Sequence, residues 1–145
     1  MKNKTVLFLC FYNSVRSPIA EGLLKFRCNG HYTVSSAGIA PIRVNPYAVK
    51  VMQNIGIDIS DHKPASVFTL KEHRFDYIIS FSEQAYSVAE EYLHEHESLL
   101  YHAYESPAEL GRTPEEIMSD FLKLRGDINQ YLDEIFPGLS PIKVF

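Results

Sequence analysis

The apolar run Val6-Leu-Phe-Leu9 passes straight into a polar loop, Cys10-Phe-Tyr-Asn-Ser-Val-Arg16, and then into Ser17-Pro18-Ile-Ala-Glu21. A short apolar run bounded by such a loop predicts a buried strand. Ser17 followed by Pro18 predicts a helix start, with a capping hydroxyl and a proline at the first helical position. The loop therefore hangs from a strand end and feeds its backbone N–H groups into a helix N-terminus. Unpaired N–H donors and the positive end of the helix dipole converge there, which makes a cradle for a tetrahedral oxyanion.

Cys10 and Arg16 give the cradle its chemistry. A thiolate at the rim of the loop is stabilised by the same N–H groups and dipole that hold an anion. Arg16 stands at the loop's return, where its planar fork takes two oxygens of the bound anion. Ser17 is placed to donate to the thiolate. The expected catalytic set begins with Cys10, Arg16 and Ser17, and the expected anion-binding set is the loop itself: Phe11, Tyr12, Asn13, Ser14, Val15 and Arg16. Phe11 and Tyr12 either form an aromatic rim for substrate or pack the loop.

The remaining chain supports one domain over residues 1–145, long enough to bury a core. A formal charge of −4 gives no basic footprint, so nucleic acid is not an expected partner. Apolar runs are too short to span a membrane. Two cysteines in no paired spacing suit a reducing cytoplasm. Cys28 is eleven residues past Ser17, about 16 Å along a helix at ~1.5 Å per residue, whereas a disulfide needs Cα atoms within ~7 Å. Cys28 is therefore read as a packing residue.

Helical and extended segments alternate. The first helix should bury Ile19, Ala20, Leu23, Leu24 and Phe26 and stop near Asn29-Gly30. A second strand is expected over Tyr32–Ser36, ending at Ala37-Gly38-Ile39. Asn45-Pro46 opens a second helix with Ala48, Val49, Met52 and Ile55 inward. Phe75–Phe81 reads as a third strand, Glu83–Leu93 as a helix, and Leu99–Ala103 as a fourth strand. Thr113-Pro114-Glu115-Glu116 is a capping box. Ile117, Phe121, Leu124, Ile128, Tyr131 and Ile135 then mark one apolar face of a long helix. The apolar tail Ile142, Val144 and Phe145 is expected to pack on the body or on a partner. Such alternation predicts an α/β fold, a parallel sheet with helices on both faces. Ligands of these sheets sit at strand carboxyl ends, where Cys10 lies.

Cys10-x5-Arg16-Ser17, set after an apolar run near the N-terminus and joined to Asn13 and Pro18-Ile-Ala-Glu21, resembles the signature loop of the low-molecular-weight tyrosine phosphatases. The arsenate reductases of the same fold share it. Arg16-Ser-Pro-Ile-Ala-Glu21 is more similar to the phosphatases. Ser36-Ala-Gly-Ile39, Val44-Asn-Pro46, Gly56-Ile-Asp-Ile-Ser60 with His62, and Pro107-Ala108 are more similar to the reductases. The resemblance implies a single-domain three-layer sandwich whose four parallel strands run in the order 2-1-3-4.

Three departures from the family pattern bear on mechanism. The two further cysteines of a thioredoxin-coupled relay fall at Ser82 and Ala89, so an internal relay is absent and an external thiol or redoxin (thioredoxin or glutaredoxin) is implied. The aspartate that serves both branches as general acid falls at Ser106, leaving Glu105 beside it either as the acid, in a role worth ~10²–10⁴-fold, or as a solvated loop carboxylate. Some reductases hold a potassium ion with residues matching Asn13, Glu21 and Ser36 plus an aspartate, which here is Ala65. No metal or other cofactor is therefore expected. His94-Glu95-His96 reads as a solvated helix end, and His62 and His102 as hydrogen-bonding residues. Three functions follow in order. The first is an arsenate reductase-like enzyme that attacks arsenate through Cys10. The second is a phosphatase that hydrolyses phosphate monoesters through a phosphocysteine. The third is an anion-binding regulatory protein with little turnover.

Overall fold

Val6 to Cys10 lie in the interior of the sheet, where alternation along the strand feeds two separate cores. The computed structural model describes residues 3–142. Strand β1 (Lys4–Cys10) is followed by helix α1 (Arg16–Arg27), β2 (Tyr32–Gly38) and α2 (Pro46–Gln53). Then come β3 (Phe75–Ser80), α3 (Glu83–Tyr92), β4 (His96–Tyr101) and α4 (Pro114–Ile135). The sheet order is β2-β1-β3-β4 and every pairing is parallel, as expected from the sequence.

Side chains of a strand alternate between faces. Val6, Phe8 and Cys10 join the core shared with α1, α2 and α4. Leu7 and Leu9 join the smaller core under α3, with Ile78, Ala85 and Ala89. The Thr113 capping box forms as read, its hydroxyl accepting from the Glu116 amide and the Glu116 carboxylate accepting from the Thr113 amide. Asn45 caps α2 by accepting the Tyr47 amide at 2.8 Å. Val49 and Ile135 are only half-buried against the core, while Val51 and Leu132 complete the inward faces.

Three expectations are corrected. Helix α1 begins two residues early, with Val15 at the cap and no capping side chain, because the buried Ser17 hydroxyl is engaged elsewhere. Phe26 is exposed, on the outer side of α1. Strand β4 starts at His96, where it pairs with Phe75, and ends at Tyr101. Edge pairing and not apolarity sets those bounds, since no β4 residue is buried. Of the tail, Ile142 packs on the core, and Ser140 is clasped by Arg27, whose Nε donates to the Ser140 carbonyl at 2.7 Å. Val144 and Phe145 lie outside the described residues. Among the described residues no helix is long and apolar enough to cross a membrane.

Candidate active site

The loop between β1 and α1 is held by its carbonyls. Phe11 O accepts from the amides of Ile39 (2.8 Å) and Ala40 (2.9 Å), Tyr12 O from Ile42 (3.0 Å), and Ser14 O from Asn45 (3.0 Å). Among the described residues, the amides of Phe11 through Val15 enter no such backbone bond. Asn13 takes a left-handed backbone, φ 51°, which lets successive amides face one concavity. The approach of β2 is close: a Cβ on Gly38 would stand 2.8 Å from both the Asn13 nitrogen and the Phe11 oxygen. That contact is the physical need for glycine in the Ser36-Ala-Gly stretch.

Cys10 and Arg16 line one hollow of about 160 Å³, together with Tyr12, Ser14 and Val15 of the loop. Its outer wall includes Ile42, Asn45, Ser106, Pro107 and Glu109. The Cys10 sulfur is 2.9 Å from the Ser17 hydroxyl. Asn13 Nδ2 donates to the same hydroxyl at 2.8 Å and to Ser36 Oγ at 2.9 Å. Arg16 Nη1 donates to the carbonyls of Tyr104 (2.8 Å) and Phe81 (3.2 Å), so the ends of β3 and β4 anchor the guanidinium. Its Nε is buried and has no protein partner among the described residues. A buried donor left unpaired costs ~1–3 kcal/mol, which an acceptor oxygen entering the hollow would offset.

Thus the structure brings Cys10, Arg16 and Ser17 together with the loop Phe11–Val15. Tyr12 is half-exposed at the mouth, in edge contact with Phe11. Glu105 is not brought into the hollow. It is exposed and lines a neighbouring cavity with Arg112, Asp120, Lys123 and Asp127. The carboxylate on the wall of the hollow is Glu109, which sequence reasoning missed. Its tie to Asn45 crosses 64 residues and leaves no local pattern.

Behind the loop, the residues matching a potassium site do not fit a cation. Asn13 Oδ1 already accepts from His62 Nε2 (3.1 Å) and the Ala65 amide (3.0 Å). Glu21 accepts from the Ser36 hydroxyl and pairs with the Lys25 ammonium at 2.6 Å. Ala65 supplies no carboxylate. Burial pushes the His62 imidazole below its ordinary value of 6.5, with Glu21 opposing. Because Asn13 Oδ1 only accepts, the His62 proton sits on Nε2.

The relay positions are absorbed structurally. Ser82 caps α3 by accepting the Ala85 amide, and Ala89 is buried in the core under the sheet. Cys28 is buried, with its thiol near the carbonyls of Lys25 and Tyr32.

A parallel sheet that presents a cysteine, an arginine and unpaired amides at the carboxyl end of its first strand defines a cysteine-loop α/β protein. The chain belongs to the low molecular weight phosphotyrosine protein phosphatase family, whose sequence model matches residues 5–109. It is similar to the arsenate reductase of Halalkalibacterium halodurans, 33% identical over 130 residues that cover 90% of this chain and 93% of the relative. Arsenate reductase 1 of Staphylococcus epidermidis is 48% identical over 62 residues, 43% of this chain and 47% of that protein. Among solved structures, an arsenate reductase in the reduced state has a TM-score of 0.76 and 28% identity, covering 94% of this chain and 99% of that one. The family and fold expected from the sequence are both borne out.

Proposed function

We propose that this chain is an arsenate reductase-like enzyme in which Cys10 is the nucleophile and the Phe11–Arg16 loop holds the oxyanion. The observation that carries the reading is the shared hollow: Cys10 lies on it beside Arg16, whose Nε has no protein partner among the described residues. The full-length likeness to an arsenate reductase favours arsenate as the oxyanion.

In this reaction the Cys10 thiolate attacks arsenic, an S–As bond forms, and one arsenate oxygen leaves as water after protonation. An external thiol then attacks the Cys10 sulfur. The S–As electron pair goes to arsenic, which departs as arsenite, and a mixed disulfide remains. A second thiol frees Cys10. Arsenate is reduced by two electrons and two external thiols are oxidised to one disulfide. The reductant must come from outside, because Cys28 sits against the Lys25 and Tyr32 carbonyls and positions 82 and 89 hold Ser and Ala.

The same cradle serves a second reading, hydrolysis of a phosphate monoester through a phosphocysteine, which needs no reductant. Membership of a phosphatase family and the lack of a second cysteine in reach favour it. The deciding experiment compares arsenate-dependent NADPH oxidation, coupled through thioredoxin, glutaredoxin or a small thiol, with hydrolysis of para-nitrophenyl phosphate. Cys10→Ser is the control in both. Arsenate turnover that disappears in Cys10→Ser supports the reductase. Aryl phosphate hydrolysis alone supports the phosphatase, and phosphate binding without either reaction leaves a regulatory anion-binding role.

A further inference from the structure

Resting on that reading of Cys10, we infer that Glu109 is the general acid that protonates the departing oxygen, in the role the sequence assigned to Glu105. Ser106 stands where the family pattern has its acid, and a serine hydroxyl does not protonate a leaving group near neutrality. Glu105 faces a different cavity, among Arg112, Asp120, Lys123 and Asp127. Glu109 is on the wall of the hollow that holds Cys10 and Arg16, and is the one carboxylate lining it among the described residues.

Glu109 is also tied to the scaffold of the loop. Its Oε2 accepts from Asn45 Nδ2 at 2.8 Å. Asn45 Oδ1 accepts the Tyr47 amide at 2.8 Å, which fixes the amide orientation and commits Nδ2 to the carboxyl group. The Asn45 backbone amide in turn donates to Ser14 O at 3.0 Å, inside the anion loop. One asparagine therefore joins the cap of α2, the oxyanion loop and the carboxyl group. The second oxygen of Glu109 lies outside that tie and is the one available to pass a proton to the leaving oxygen.

The step balances for both substrates. As the Cys10 sulfur bonds to phosphorus or arsenic, the bond to the leaving oxygen breaks. That oxygen takes its electron pair and the Glu109 proton, giving an alcohol or water. In phosphocysteine hydrolysis the Glu109 carboxylate takes a proton from the attacking water, the P–O bond forms, and the S–P electron pair returns to sulfur.

The test measures Glu109→Gln, Glu105→Gln, Cys10→Ser and wild type on aryl phosphates whose leaving phenols span a range of acidity, and in parallel on arsenate. Gln keeps the size and the acceptor for Asn45 and removes only the proton. The expected result is a loss of about 10²-fold or more for Glu109→Gln on the least acidic phenol, shrinking towards none on the most acidic one. The pH–rate limb along which the acid deprotonates disappears with it. A chain that processes arsenate alone shows the loss in kcat with arsenate. Glu109→Gln that matches wild type while Cys10→Ser is inactive overturns the acid and leaves the proposed function standing. A leaving-group-dependent loss in Glu105→Gln alone also overturns it. Turnover that survives Cys10→Ser, or none in wild type, removes the proposed function and the acid together.

Discussion

The Ser17 hydroxyl lies 2.9 Å from the Cys10 sulfur, although the residue ahead of a helix-start proline ordinarily caps the helix. Asn13 donates to that hydroxyl from behind, so towards an ionised sulfur Ser17 is the donor. A hydrogen bond to a charged group is worth ~1.5–3 kcal/mol. Ser17→Ala should slow alkylation of Cys10 by iodoacetamide at neutral pH by roughly 10-fold or more, each ~1.4 kcal/mol being a factor of ten. An unchanged alkylation rate would show that the hydroxyl does not act on the sulfur.

Arg16 is held by two main-chain carbonyls through one nitrogen, which leaves Nε for a ligand. Lysine keeps the charge and loses the fork. Arg16→Lys should weaken inhibition by inorganic phosphate by about 10- to 100-fold, the equivalent of one charge-assisted hydrogen bond. Equal inhibition constants for the two proteins would contradict the assigned donor.

The proton balance at His62 gives a stability prediction. Its folded-state value lies below the ordinary 6.5 because burial disfavours the imidazolium. The unfolded chain therefore takes up the proton first as pH falls. The stability that His62 contributes is complete above 6.5 and is lost as pH drops through 6.5 towards the folded value. Denaturant unfolding between alkaline and mildly acidic pH should show a decline over that window, and His62→Gln should flatten it. An equally steep decline in the variant would place the proton elsewhere.

Replacing potassium by sodium at constant ionic strength should leave Tm and turnover unchanged. The Lys25 ammonium already balances Glu21, and Asn13 Oδ1 is committed to His62 and Ala65. A potassium-specific rise in Tm would show that these donors rearrange around the ion.

Gly38→Ala should destabilise the protein by ~1–3 kcal/mol, because the new methyl meets backbone atoms of the loop and no flexible side chain is there to yield. Urea unfolding reads the effect, and a midpoint equal to wild type would mean that the loop moves aside freely.

Strands β1 to β3 and the shared loop of Cys10 and Arg16 were legible because their signals are local. The apolar run Val6–Leu9 and the spacing from Cys10 to Arg16 need no knowledge of the rest of the chain. The Thr113 cap was readable for the same reason. What escaped depends on distant partners. Ser17 has the sequence context of a cap, yet a sulfur seven residues away in the chain recruits it. Edge strand β4 carries little apolarity, so its start at His96 is set by pairing with Phe75. Glu109 reaches the hollow through Asn45 only once the segment after β4 has folded back against the cap of α2.

The two carbonyls that grip Arg16 come from segments that leave the sheet after β3 and β4, far along the chain from the loop. An arginine side chain loses ~2 kcal/mol of rotamer freedom when it is immobilised. Here that loss falls within folding and not at the moment of encounter. On the proposed function, an arriving anion would meet a guanidinium already in place and would not wait for a side chain to find its pose.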